Sequence, residues 1–340
     1  MSRIPIVRNA LRRAMVLALA LVAPLLAPLL AQRGAGPSPI FAPGAEAAMS
    51  RGRLAVAESI LYAASARAPH DPALRAGLGM YLASRGHIKI GTVLLEEARK
   101  FGANGEEVDA HLAQMYPWIG DWSALAALPH DVISSGERAR ARWLAAHAPA
   151  TLGPDSVVVA MEPVPPDPNE VPVLGRIAIV IGRKTILADI APNIDGLVLS
   201  PDPALVRESQ LFGKQRIGPE INFRHDSLTV AAVRSLSVGA LTLTNVEASI
   251  TPGAHAAIGL DVLARLMPTF DVDRRRLTLR RHAVTVPGEA IPFMLDFPGI
   301  MIAPRVGQTP VEWDAPAARA ALNGVRWTLD LKSGAIITAR

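Results

Sequence analysis

The sequence predicts a multidomain α + β protein, helical in its N-terminal half and all-β in its C-terminal half. Three observations predict it. Gly52, Gly86 and Gly120 are spaced by 34 residues, and Leu54, Ile88 and Trp122 each follow two residues later; that period belongs to stacked helix pairs, not to strands. Pro163, Pro165, Pro166, Pro168 and Pro172 fall within ten residues and read as a stiff, extended connection. Beyond them, short runs rich in Val, Ile, Leu and Thr alternate with Gly-containing turns, the pattern of a small barrel or sandwich.

The chain of 340 residues is half hydrophobic and only 4% aromatic, so its core must rest on Leu, Ile, Val and Ala. Residues 1–33 form a leader: Arg3, Arg8, Arg12 and Arg13 precede an uncharged apolar run from Ala14 to Ala31. A basic flank before an apolar block is a signal peptide or a signal anchor, with the basic end in the cytoplasm. Either outcome places the body in the periplasm or cell envelope, attached to the inner membrane if residues 14–31 are retained. The absence of cysteine fits that compartment and excludes little. The formal charge of +5 comes from Arg3, Arg8, Arg12, Arg13 and Arg33, leaving a neutral body, so nucleic-acid binding through phosphate contacts has no support.

Residues 45–148 are expected to be helical. Small or apolar residues recur in register with the glycines: Ala57, Gly91 and Leu125; then Leu61 and Leu95; then Ala64 and Ala98. The preceding helix matches too, with Leu78-Gly79 beside Leu112-Ala113. Small residues at that spacing let helix backbones approach. The pattern resembles the tetratricopeptide repeat, which implies either a spacer or a docking module. Gly136–Ala148 is expected to cap the stack as one further helix.

Residues 149–171 read as a Pro-rich linker, and 172–282 as the β domain. Ile177–Ile181 and Thr185–Ala188, joined at Gly182-Arg183-Lys184, form a hairpin that runs into Asp189, with another apolar run at Leu197–Ser200. Val230–Val238 and Leu241–Ile250 form a second hairpin about Gly239. Ile258-Gly259 ends a strand, Asp261–Leu266 is a short helix, and Thr269–Val272 with Leu277–Arg280 close the domain. The hydrophobic-Gly-hydrophobic-Asp-x-Leu helix, then Phe-Asp-x-Asp-Arg-Arg-Arg-Leu-x-Leu, is similar to the C-terminal end of bacterial retropepsin-like aspartic peptidases. The resemblance covers about residues 172–282 and implies an acid-protease barrel.

The same resemblance implies a role for Asp189. In that family the acid opens an Asp-Thr-Gly motif, and two facing copies share a proton while activating one water. The threonine hydroxyl ties the loops together, and the glycine lets the backbone close on the carboxylate. Here the triplet is Asp189-Ile190-Ala191, and the spacing to Val198-Leu199-Ser200 is about two residues longer than usual. The expectation is therefore a pseudoenzyme with impaired catalysis that binds peptide or protein segments. The alternatives are an active aspartic endopeptidase formed by a homodimer, with Asp189 from each chain, and a purely structural envelope module.

Residues 283–340 are a C-terminal β extension or a shortened second lobe. Ile291–Asp296 echoes the strand before Asp189, which would set Asp296 opposite it, but the sequence there is Asp296-Phe297-Pro298-Gly299. Phe212–Asp226, with Gly213 and Gly218, is where a cover over the cleft is expected. The eight histidines are scattered and no cofactor fingerprint is present, so neither a metal nor a cofactor is expected. Arg274–Arg276 reads as a solvated hairpin tip; the resemblance implies structural positions for Asp261, Asp271 and Asp273, at the helix start and in the hairpin.

Overall fold

The computed structural model describes residues 42–164, 173–192, 194–216, 227–296, 299–302, 310–312, 321–322, 324–331 and 333–339. The leader, most of the Pro-rich run and much of the expected cover (residues 217–226) lie outside the described residues.

Among the described residues seven helices come first: α1 (Ala45–Ser50), α2 (Leu54–Arg67), α3 (Pro72–Ser84), α4 (Ile88–Lys100), α5 (Gly105–Ile119), α6 (Trp122–Ala127) and α7 (Ser135–Ala146). The starts of α2, α4 and α6 repeat at the 34-residue spacing of the sequence. Gly52, Gly86 and Gly120 just before them are left-handed, at φ +65°, +85° and +72°, which only glycine adopts without cost. The closest crossing is between α3 and α4. A Cβ added to Gly79 would lie 2.9 Å from the Gly91 carbonyl, and one added to Gly91 would lie 2.5 Å from the Gly79 carbonyl. The tetratricopeptide assignment of this stack stays a resemblance of sequence. α6 stops before Pro129, where the Arg138 guanidinium collects the carbonyls of Ala126, Leu128 and Pro129. A Ser134–Glu137 capping box starts α7.

The segment read as a linker begins with two strands, β1 (Ala150–Leu152) and β2 (Ser156–Glu162). The β-branched run Val157-Val158-Val159 supplies β2, and the proline run after it drew the linker reading too far upstream. Then follow β3 (Arg176–Ile181), β4 (Lys184–Ala191), β5 (Leu197–Leu199), helix α8 (Pro203–Arg207), β6 (Ser209–Arg216), β7 (Ser227–Val238), β8 (Leu241–Ile250) and β9 (Ala257–Gly259). Helix α9 (Leu260–Ala264) precedes β10 (Thr269–Asp271) and β11 (Arg276–Arg280). Both expected hairpins are present, with left-handed Gly182 and Gly239 at the first turn position.

The strands β3, β4, β9, β5, β8 and β7 pair in that order, and β7 returns to β3, so the sheet closes into a barrel. Two of its pairings are parallel, β4 with β9 and β5 with β8. Ile177, Ile179 and Ile181 alternate into its interior, each at most 1% exposed. The protein is thus a mixed structure of N-terminal helices and a C-terminal β-barrel sheet.

The tail contributes β12 (Glu289–Asp296), β13 (Gly299–Ile302), β14 (Val311–Glu312), β15 (Arg326–Asp330) and β16 (Ala335–Ala339). These strands join the same sheet path, because β15 pairs with β10 and β11 pairs with β2. Phe270 and Trp327 stack across the join at 4.1 Å.

Helices and sheet share one hydrophobic core, running from Leu95 and Leu112 through Leu144 to Ile179 and Phe270. Polar contacts add to it. Arg85, after α3, donates to the carbonyls of Phe293 and Gly334. α7 lies on β6 and β7, with Trp143 against Phe212 and Gly136 close to Val230.

Candidate active site

Asp189 lies two residues inside β4, not in the loop that follows it. Both flanking segments pair with this stretch. Asp189 stands directly opposite Arg176 on β3 and opposite Ala257 on β9. Its amide donates to the Ala256 carbonyl at 2.8 Å, and Ile190 next to it exchanges hydrogen bonds with Leu174 and Gly175. The carboxylate is also engaged: Arg176 Nε donates to Asp189 Oδ1 at 2.6 Å, with the Asp189 side chain 13% exposed. Opposite charges on directly facing strand residues form such pairs readily.

The two residues after Asp189 contribute packing. Ile190 is 0% and Ala191 2% exposed, so both are buried, and neither offers a hydroxyl. Gly259 on β9 backs the loop: a Cβ there would meet the carbonyl oxygens of Ile194 and Gly196 at 2.5 and 2.9 Å. Gly259 also donates its amide to Gly196 at 2.7 Å.

Beneath that loop the structure gathers three acids and two arginines. Asp261, at the start of α9, is 3% exposed and accepts the Gly196 amide on both carboxylate oxygens at 3.1 Å. Glu247 on β8 pairs with Arg140 of α7 at 3.0 Å and lies 3.8 Å from Arg265 after α9. Arg265 also reaches the Pro117 carbonyl at the end of α5. Burial raises the Asp261 pKa to about 6; the nearby Arg265 opposes this and Glu247 adds to it. Asp195 is pushed up to about 7, first by crowding of protein around the carboxyl, then by the negative Asp261 and Glu247. Asp195 itself is exposed at the surface of the loop.

Asp261 acts as the structural acid expected from sequence: it clamps the loop. Asp195-Gly196 lies too close to the Val198-Leu199-Ser200 strand for Asp195 to open the motif, and no sequence signal marks the Glu247–Arg140 pair. Their partners come from α7, α9 and β8, and no local spacing announces them. Asp296 ends β12 opposite Gly299 and is exposed. No hydrogen bond or ion pair joins it to Asp189, and β16, β15, β10, β11, β2 and β3 lie between their strands on the sheet path. Among the described residues no group of His, Asp and Glu could hold a metal ion. No helix among them is long and apolar enough to cross a membrane.

No family model and no curated protein matches the chain. Among solved structures, a retropepsin-like aspartic protease from Rickettsia conorii is similar over 39% of this chain and 91% of its own, at 12% identity and a TM-score of 0.25.

Proposed function

We propose that this is an exported protein with a retropepsin-like barrel whose catalysis is impaired, and that it acts by binding peptide or protein segments. The observation that carries the reading is the Asp189–Arg176 ion pair on β4, which is paired on both sides, with β3 and with β9. A dyad acid must be free to share a proton with a second carboxylate across a water. This one is held by a guanidinium, and the next two residues are buried aliphatics. Losing the groups that position a catalytic side chain leaves a site too loose to work.

An unpaired strand edge supports the binding half of the reading. β6 closes one end of the sheet path and, among the described residues, pairs only with β7. An extended peptide adds to such an edge through its main chain. Export rests on the basic and apolar leader of the sequence.

The test is incubation of the purified chain with an unstructured protein from acidic to neutral pH, beside its Asp189→Asn variant. The expected outcome is no cleavage by either. Cleavage that disappears in Asp189→Asn would establish the rival reading, an active homodimeric endopeptidase.

A further inference from the structure

The helix α2 carries apolar residues on its exposed side as well as on its buried one. Leu54, Ala57 and Leu61 face the core. On the opposite side, Val56 and Tyr62 are each 49% exposed, beside the exposed Ala55, Ser59 and Ala63. A helix with apolar residues on opposite sides normally has both covered. Here the outer face instead borders a groove of about 430 Å³, lined by Ala55, Val56, Ser59, Ile60, Ala63 and Arg67. One 34-residue period on, Ile90 and Val93 of α4 are likewise 55% and 53% exposed. Apolar surface exposed along one helix face marks a partner.

We propose that this face lies on an anionic lipid bilayer, as a second attachment beside the leader. The proposal rests on reading residues 14–31 as a retained anchor, and two observations select the bilayer. First, the described chain begins at this face: Ala42 is buried in the small core that Ile60 packs against, and Gly44 starts α1 over Ile60. The ten residues between Ala31 and Ala42 span at most about 35 Å, so an anchored leader keeps α2 close to the lipid. Second, the most exposed charges are basic. From Ala42 to Arg67 the exposed charged residues are Arg51, Arg53 and Arg67, while Glu46 and Glu58 are half-buried. Arginines flanking an apolar face suit anionic headgroups, and Tyr62 suits the interfacial depth.

The full chain contains no cysteine, so Ser59→Cys accepts a single environment-sensitive fluorophore, and Ser123→Cys on α6 provides a control site. Both labelled chains are reconstituted into vesicles of anionic or zwitterionic lipid. Flotation reads the anchor, and quenching by lipid-borne nitroxide reads the face. The expected result is flotation with both lipids, with quenching at position 59 and not at 123, strongest in anionic vesicles. Replacing Arg51, Arg53 and Arg67 by glutamine should weaken the anionic preference about fivefold per residue, without altering flotation or the circular dichroism spectrum.

Flotation with position 59 still open to aqueous iodide would overturn the docking and leave the anchor standing. Failure to float with either lipid overturns both. Protection at position 59 that grows with protein density and is equal in detergent would replace the bilayer with a second copy of the chain.

Discussion

Replacing Asp261 by asparagine tests the acid cluster beneath the β4–β5 loop. The carboxyl is buried, and its pKa rises from 3.8 to about 6 mainly through that burial. A group whose pKa is raised on folding binds its proton more tightly in the native state. Its contribution to stability is complete below the unfolded value and is lost as pH rises through the folded one. At about 1.4 kcal/mol per unit, the native state loses about 3 kcal/mol from this group between about pH 4 and pH 7. Asparagine keeps an oxygen for the Gly196 amide but never ionises. The variant should therefore be the less pH-sensitive protein, gaining about 3 kcal/mol on the parent across that window. Urea denaturation at several pH values, followed by circular dichroism, gives the difference directly. Its offset at any one pH depends on the lost hydrogen bonds to a charged acceptor, about 1.5–3 kcal/mol, so the slope is the decisive quantity. A stability difference that stays constant over the window, or that changes in the opposite sense, would refute the reasoning.

Four further substitutions test the packing and the polar contacts that join it. Glu247→Ala leaves the 14%-exposed Arg140 side chain without its carboxylate, which should cost about 3–5 kcal/mol in the same denaturation assay. Gly91→Ala pushes a methyl to within 2.5 Å of the Gly79 carbonyl; the expected loss is about 1–3 kcal/mol from overpacking, only partly offset by about 1 kcal/mol of helix propensity. Gly105→Ala, at a helix start with nothing within 4 Å, should be neutral or slightly stabilising, and a cost as large as that of Gly91→Ala would remove the packing explanation. Arg85→Ala removes donors to Phe293 and Gly334 and should make amides of β12 and β16 exchange hydrogen faster than those of β7, as measured by mass spectrometry.

Much of the architecture was legible because it is local. The 34-residue spacing gave the starts of α2, α4 and α6, since each start needs a left-handed glycine two residues before it. Both hairpins were legible because a glycine at the turn and alternating apolar runs specify a register together. What sequence could not show was the joining. Gly86 and Gly334 look like ordinary turn glycines. In the structure a Cβ on Gly86 would strike the Leu331 carbonyl at 2.3 Å, and one on Gly334 would strike the Arg85 carbonyl at 2.2 Å, so each turn is pressed against the other. Such contacts bridge more than 240 residues of sequence and have no local signature.

The candidate site shows the same division. That Asp189 follows an apolar strand run was plain, and so was the Asp189-Ile190-Ala191 triplet where the resemblance implies Asp-Thr-Gly. Its partner was not, although Arg176 opens the very hairpin that Asp189 closes. Counting back from the Gly182-Arg183 turn places residue 176 opposite 189, because each paired position in that hairpin sums to the same value. An arginine and an aspartate at facing positions then form an ion pair on one face of the sheet. The signal was therefore available once the turn was fixed at two residues rather than three. Reading Lys184 as part of the turn instead of as the first residue of β4 left the register open, and with it the neighbour that decides whether this carboxylate is free to act.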